Sequence, residues 1–463
     1  MNMPSPMTPN QSLAAEFAVR VRVIAKLAAP VSAARLGMVV MVMVDVAMTG
    51  HFSSTELAYY SLGQAVHMVC MLIGVGMLIG TAILSAQAVG AGAHTECGVI
   101  WRVSVLHALA LGCFFALLAL AGTWFYGQMG YDSALSRGAG GVVAVLNLGL
   151  PGQLVYVACV LFLESLSRPG PGLVIMIGAN VVNAGLNWLL IGGGTEYGAG
   201  YGMGLGAEGA AWATSAVRWL IAGAAAIYIL RMGEARRYNV TGPLGPWRAI
   251  SAKLRGLGYP LGLAQGLESA AFASLTLFAG HISAQAAGAF QIAVSIVAFC
   301  FMAAIGVGTA TAVHVGMAIG RKDQRHMILS GWAGLFTITI FMAAMAVIIL
   351  VFPEPLAGIF TNDPELLAIA VPILLVGALM LVCDGAQGVL MGALRGAGDV
   401  WVPTAMHLCA FLLVMVPAAG WFSLRTDLGP PGLMWGTFCG VTLAALLLGV
   451  RFHMISKKPI SRL

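Results

Sequence analysis

Twelve apolar segments determine what this chain can fold into. A helix of about twenty apolar residues crosses the roughly 30 Å hydrocarbon core of a bilayer, and only helices or closed barrels satisfy their backbone groups there. Of the 463 residues, 60% are hydrophobic and only 9% are charged, whereas soluble domains carry about 25% charged residues. The sequence therefore predicts an all-α polytopic membrane protein with twelve transmembrane helices.

The distribution of basic residues predicts how these helices are oriented. With the N-terminus in the cytoplasm, nineteen of the 23 lysines and arginines lie in cytoplasmic loops or at cytoplasmic helix ends. This asymmetry follows the positive-inside rule and accounts for the net charge without a nucleic-acid partner. It predicts a multi-pass plasma-membrane protein, in bacteria of the inner membrane, with both termini cytoplasmic. The predicted spans are 28–50, 57–84, 100–125, 138–163, 172–192, 208–230, 259–280, 287–318, 329–352, 367–393, 401–422 and 433–453.

The two halves of the chain resemble each other at an offset of 230 or 231 residues. The matching residues are Pro30 and Pro260, Gly50-His51 and Gly280-His281, Val89-Gly90 and Ile319-Gly320, and Leu163 and Leu394. Because each half contains an even number of spans, we expect two six-helix lobes related by a pseudo-twofold axis along the membrane normal. Pro30 and Pro260 are predicted structural helix breaks at equivalent positions.

The repeat and the linker between its copies predict the domain organisation. The predicted parts are a cytoplasmic N-terminal segment 1–27, an N-lobe 28–230, a cytoplasmic linker 231–257, a C-lobe 258–453 and a cytoplasmic tail 454–463.

Three carboxylates, Asp45, Glu268 and Asp384, lie inside the predicted spans. A charge near the bilayer centre costs about 2.5–3.5 kcal/mol on insertion scales, so such residues normally face a bundle interior or a watery cavity. The repeat places apolar or neutral residues opposite them, which favours a specific ion or proton function over packing, although a hydrogen-bonded structural carboxylate is the alternative. Those opposite residues are Leu275, Met38 and Gln153, respectively.

Several motifs resemble those of the multidrug and toxic compound extrusion (MATE) family, in particular its NorM-like branch. The string in the tenth span is the most specific, and the resemblance covers residues 25 to 455. The motifs are Ala29-Pro30 with Val44-Asp45-Val-Ala-Met-Thr-Gly50, Asn183-Ala-Gly-Leu-Asn187-Trp188, Gly209-Ala-Ala-Trp-Ala-Thr214, Pro260 with Glu268, and Cys383-Asp384-Gly-Ala-Gln387-Gly388 with Gly392-Ala-Leu-Arg395-Gly396-Ala-Gly398.

The resemblance implies two six-helix lobes in a V and two ion-linked sites. Glu268 and Asp384 look like the family's C-lobe cation site. The residues that look like its N-lobe ion- or proton-linked cluster are Asp45, Asn183, Asn187 and Thr214. Some relatives carry a second acidic residue in the fifth span, where this chain has Asn187.

The chemistry of these residues suits Na⁺ or H⁺. Two carboxylates in an apolar cavity cannot both remain ionised without a cation, so Glu268 and Asp384 are expected to share a proton or a sodium ion. Asn183 and Asn187 lie four residues apart on one helix face. Their amide oxygens could help Asp45 hold Na⁺ or accompany its protonation, or the asparagines could serve only as interhelical polar contacts.

The sequence supports only weak predictions for the substrate cavity. Thioethers and amides near the acidic positions are candidates, namely Met38, Gln153, Gln291 and Gln387. His67 and His407 are interpreted as packed and hydrogen-bonded side chains.

The predicted function is secondary active antiport. The chain would export organic, often cationic, drugs or toxic compounds in exchange for inward Na⁺ or H⁺ by rocking between two lobes, as a monomer without other cofactors. The alternatives are a lipid-linked oligosaccharide flippase of the same broad superfamily and a membrane-embedded non-transport protein. An enzyme is not predicted, because no paired histidine ligands, nucleophile turn or soluble catalytic domain occurs in the sequence.

Overall fold

The computed structural model describes residues 13–192, 203–361 and 363–459, which are helical nearly throughout. Twelve helical stretches within these residues are long and apolar enough to cross a membrane. The predicted all-α fold with twelve spans is therefore confirmed. Three of these stretches contain more than one helix: Ser54–Gly90, Ser133–Ser165 and Trp401–Leu424. A single turn residue, Ile79 or Gly149, interrupts the first two, and a π-helical segment interrupts the third.

The contacts of the chain divide it into two compact units. The N-unit contains Ala33–Val89 and Ala93–Leu263, and the C-unit contains the other described residues. The helices that lie wholly within the N-unit, apart from Gly90 at the end of α3, are α2 Ser54–Leu78, α3 Gly80–Gly90, α4 His94–Ala119, α5 Gly122–Gln128, α6 Ser133–Leu148, α7 Leu150–Ser165, α8 Gly170–Ile191 and α9 Gly206–Arg231.

The C-unit contains the remaining helices in the same chain order. They are α11 Ala284–Arg321, α12 Gln324–Val351, α13 Pro353–Gly358, α14 Pro364–Gly396, α15 Trp401–Cys409, a π-helical segment Ala410–Met415, α16 Val416–Leu424 and α17 Pro431–Ser456.

Two long helices contribute to both units. Helix α1, Leu13–Phe52, changes unit after Ser32, and α10, Trp247–Ile282, changes unit after Leu263. Each change follows shortly after a proline, Pro30 or Pro260, that lies inside the helix. Neither proline ends its helix, contrary to the predicted breaks, because helices in a membrane tolerate proline where neighbouring groups satisfy the freed backbone carbonyl.

One helix lies at the centre of the packing in each unit. Every residue of α7 in the N-unit is buried, and α7 packs against α4 and α9. In the C-unit, α14 packs against α11, α12 and α17. A Cβ atom at Gly392 would lie 2.4 Å from the carbonyl oxygen of Gly308, so glycine allows the α11 and α14 backbones to touch.

Candidate functional site

Asp45 lies at the centre of a buried hydrogen-bond network in the N-unit. Its Oδ2 accepts from the Tyr60 hydroxyl at 2.8 Å and from the Thr214 hydroxyl at 2.6 Å. Its Oδ1 accepts from the Asn187 side-chain amide at 2.6 Å. The Asp45 side chain has no solvent exposure, so these three donors replace the water that would otherwise solvate the carboxylate.

The two asparagines extend this network along α8. Asn187 also donates to Asn183 Oδ1 at 3.2 Å, and the Asn183 amide donates to the Thr214 hydroxyl at 3.2 Å. The spacing of four residues places both amides on one face of α8, as expected. All four residues predicted for the N-lobe cluster therefore lie together, and each is buried.

Local capping helps to position the first two helices. The Thr49 hydroxyl donates to the backbone carbonyl of Asp45 at 2.7 Å, one turn further along α1. Ser53 then caps the N-terminus of α2 by accepting from the Glu56 amide at 3.4 Å. The tight α1–α2 connection carries Tyr60 back alongside Asp45.

Arg218 supplies a buried positive charge one turn beyond Thr214 on α9. Its guanidinium donates to the carbonyl oxygen of Leu146 at 3.1 Å and interacts electrostatically with Asp45 and Tyr60. Leu146 lies next to the interruption between α6 and α7. Helical hydrogen bonds are incomplete at such an interruption, so a carbonyl there is available to a side chain.

A second polar cluster surrounds Glu268 in the C-unit. Glu268 Oε2 lies 3.5 Å from His407 Nε2 and accepts from the Gln265 amide at 3.1 Å. The His407 ring stacks on Phe411, with centroids 4.2 Å apart and an interplanar angle of 24°. His407 lies one turn before Phe411, which belongs to the π-helical segment.

Asp384 has a different hydrogen-bond partner. Its Oδ1 accepts from the Gln387 amide, one turn along α14, at 3.3 Å. No hydrogen bond joins Asp384 to Glu268 within the described chain, although the two carboxylates interact electrostatically. The predicted pair is thus two neighbouring charges, each bound to an amide on its own helix.

Two residues next to the carboxylates were not predicted as ion-linked. Tyr60 was not singled out, and His407 was interpreted as a packed histidine. Both are polar aromatic residues in apolar spans, which is a weak signal in the sequence. Only the packing of α1 on α2 and of α10 near α15 places them beside Asp45 and Glu268.

The four cavity candidates have distinct surroundings. The Gln153 amide lies 3.9 Å from the Met38 sulfur in the N-unit. Gln387 bonds to Asp384, and the exposed Gln291 bonds to the Ser295 hydroxyl of its own helix at 3.5 Å. Two of the four are therefore linked to each other, and a third belongs to the Asp384 cluster.

The donor groups limit how an ion could bind. No cluster of three or more histidine, cysteine, aspartate or glutamate side chains occurs in the described parts of the chain. A sodium site would therefore combine a carboxylate with amide and hydroxyl oxygens, which are ligands of the type that hard cations prefer. Asn187 Oδ1 is buried without a hydrogen-bond partner, so one such oxygen is available beside Asp45.

The chain matches the MatE family model twice, over residues 30–189 and 260–419. The two matches begin 230 residues apart, as the internal repeat predicts. The chain is 38% identical to a probable multidrug resistance protein NorM of Caulobacter vibrioides, over 93% of this chain and 90% of that protein. It is 26% identical to the multidrug resistance protein MdtK of Pectobacterium atrosepticum, over 97% and 98%.

Solved structures show the same fold. The chain matches an outward-facing multidrug resistance MATE family transporter of the MOP superfamily with a TM-score of 0.85 at 20% identity, over 95% of this chain and 97% of that one. It matches a eukaryotic MATE transporter with a TM-score of 0.83 at 18% identity, over 96% and 99%.

Proposed function

This chain belongs to the MatE family, and from that premise we propose that it is a secondary active antiporter. It exports small organic compounds, often cationic, while Na⁺ or H⁺ moves inward by alternating access. The names of its relatives as multidrug resistance proteins support this substrate class. The protein acts as a monomer in the bacterial inner membrane, with both termini in the cytoplasm, and needs no cofactor besides the coupling ion.

The observation that carries the proposal is the donor set around Asp45. Three hydrogen bonds of 2.6–2.8 Å reach one fully buried carboxylate. Hydrogen bonds to a charged group contribute about 1.5–3 kcal/mol each, so these donors offset part of the cost of burying the ionised form. A carboxylate held in this way can receive a proton or a sodium ion and release it again.

A rotation of one side-chain amide would prepare the site for a proton. Which end of Asn187 faces Asp45 is set by the hydrogen-bond network, and Asn187 Oδ1 has no hydrogen-bond partner. With the amide turned by half a revolution, Oδ1 would accept from a protonated Asp45. Alternatively, Na⁺ would be ligated by the same Asn187 oxygen together with Asn183 Oδ1 and the hydroxyl oxygens of Tyr60 and Thr214.

The Glu268 cluster supplies a second place for the coupling ion. His407 Nε2 lies 3.5 Å from the Glu268 carboxylate, and Asp384 adds a further charge in electrostatic range. Binding of a cation or proton here reduces repulsion between the two carboxylates and competes with a cationic substrate.

The partners of the arginines in the N-lobe argue against the flippase alternative. An anionic lipid head group requires available positive charge, but Arg218 bonds to the Leu146 carbonyl. Arg35 lies 3.5 Å from the Glu164 carboxylate. Arg35 and Arg218 thus already have partners.

Efflux of a fluorescent organic cation from proteoliposomes tests the proposal. A sodium gradient and a pH gradient are imposed separately, and one of them is expected to drive efflux. Asp45→Asn keeps the side-chain shape but removes the charge, and should abolish gradient-driven efflux. Glu268→Gln combined with Asp384→Asn should strongly reduce it.

Glu365→Gln is the matched control, because Glu365 is an exposed carboxylate at the start of the helix that carries Asp384. It should transport like the wild type. Efflux that continues at the wild-type rate in both the Asp45 variant and the double variant would refute the ion-coupling sites. If neither gradient drove efflux of any tested organic cation, antiport would be refuted.

A further inference from the structure

A crevice of about 200 Å³ lies in the N-unit between α2, α4 and α10. Its walls are mainly apolar and include Met77, Leu111 and Leu254. Its polar lining includes His107, Arg255 and Tyr259. None of these residues belongs to the Asp45 network, so the crevice is separate from the ion-linked site.

Arg255 is a cation without an acidic partner in this crevice. Its guanidinium donates to the Ser251 hydroxyl at 2.5 Å, and Ser251 lies 3.1 Å from His107 Nε2. Among the described residues no carboxylate lies within ion-pair distance of Arg255. The exposed guanidinium is thus held in place by a neutral chain of hydrogen bonds, with its charge left uncompensated by the protein.

The contacts of the neighbouring helix α4 indicate how deep the Arg255 guanidinium lies in the membrane. Arg102 on α4 bonds to the carbonyls of Asn239 and Pro243, in the segment that joins α9 to α10 outside the membrane spans. His107 lies five residues further along α4, about 7–8 Å at 1.5 Å per residue. Arg255 therefore reaches the region where lipid head groups meet acyl chains.

We propose that this crevice binds an anionic phospholipid of the leaflet on the side of the α9–α10 segment. The phosphate accepts hydrogen bonds from Arg255, and one acyl chain lies along the apolar wall formed by Met77, Leu111 and Leu254. Basic pockets between transmembrane helices on the cytoplasmic side bind anionic head groups.

The face of α10 that carries Arg255 supports a lipid over a soluble anion. Trp247, Ser251, Arg255 and Tyr259 follow each other at intervals of four residues and share one helix face. Tryptophan and tyrosine are typical of the membrane interface. A free phosphate ion would use the guanidinium but would leave the apolar wall uncovered.

Native mass spectrometry of the full-length protein in neutral detergent tests the proposal. Phosphatidylglycerol and phosphatidylcholine with identical acyl chains are titrated separately. The wild type should bind phosphatidylglycerol about fivefold or more tightly than phosphatidylcholine, the factor expected for one basic residue near the surface. Arg255→Gln should remove this preference, and Lys253→Gln, which removes an exposed cation from the same helix, should change it less than twofold.

A second variant tests the apolar wall independently of the charge. Ala110→Phe fills the crevice from an exposed position and should weaken the binding of both lipids several-fold. The proposal is overturned if Arg255→Gln keeps the wild-type preference, or if Ala110→Phe leaves both affinities unchanged. Displacement of phosphatidylglycerol by millimolar inorganic phosphate would also overturn it, since the site would then bind the free anion.

Discussion

A carboxylate inside a membrane helix needs donors or a cation, and Asp45 shows how neutral residues supply the donors. Tyr60, Thr214 and Asn187 come from three different helices and meet at one side chain. Asn187 contributes an uncharged amide to this network. Asp45 is therefore the one acidic residue among these four hydrogen-bonded side chains.

Tyr60→Phe tests the contribution of a single donor to this network. The variant removes the hydroxyl that bonds to Asp45 Oδ2 but keeps the ring. A hydrogen bond to a charged group contributes about 1.5–3 kcal/mol. We therefore expect ion-driven efflux to fall by about tenfold or more, because 1.4 kcal/mol corresponds to a factor of ten.

Tyr59→Phe is the control for this variant, since the adjacent tyrosine lies on another face of α2. Initial rates of efflux in proteoliposomes, measured at matched protein content, provide the comparison. Equal rates for the two variants would show that the Tyr60 hydroxyl has no part in coupling.

Among the elements, the π-helical segment Ala410–Met415 has the clearest link to the C-unit cluster. A π-helical turn contains one residue more than an α-helical turn, so it rotates the residues before it about the helix axis relative to those after it. Here it follows α15, which carries His407, and contains Phe411, on which the His407 ring stacks. The segment thus contributes to the position of His407 beside Glu268.

Deletion of Leu413 tests this positioning role. Leu413 is 71% exposed, so its side chain contributes little to the core. Removal of one residue should restore α-helical spacing and rotate α15 by about 100° relative to α16. We expect a loss of gradient-driven efflux comparable to that of His407→Ala.

Leu413→Ala keeps the residue count and should retain efflux. Size-exclusion chromatography and thermal unfolding in detergent establish whether each variant is folded. A folded deletion variant with wild-type efflux would contradict the positioning role of the π-helical segment.

Over the whole molecule, the internal repeat and the distribution of basic residues are the main organising features. Two matches to one family model cover both halves at a constant offset. The contacts nevertheless assign residues 13–32 to the C-unit and the first part of α10 to the N-unit. The predicted lobe boundaries, which follow the sequence repeat, therefore differ from the units that the contacts define.

Reporter fusions test the predicted orientation in the membrane. Green fluorescent protein fused after the C-terminal Leu463 should fluoresce, because the tail is expected in the cytoplasm. Alkaline phosphatase fused after Leu428, between the last two spans, should be active because that loop is expected outside. Exchange of the two reporters should abolish both signals. If only the exchanged fusions gave signals, the predicted orientation would be reversed.

The number and type of the elements could be derived from local sequence because a membrane span requires a long apolar helix wherever it packs. Twelve spans were predicted and twelve occur within the described residues. The helix limits were less predictable, since α1 begins at Leu13 in a polar region that lipid does not constrain. Pro30 and Pro260 likewise lie inside continuous helices, because their neighbours decide whether a proline ends a helix.

The sequence by itself determined the membrane class, the repeat and the family, and it identified the three carboxylates inside the spans. Hydropathy, the offset between the repeats and charge can all be read from the order of residues along the chain. Only the tertiary structure decided the partners of those carboxylates. Tyr60 at Asp45, His407 at Glu268 and the separate hydrogen bonding of Asp384 depend on which helix faces meet. Side-chain packing between distant segments sets those faces, and no local pattern specifies it.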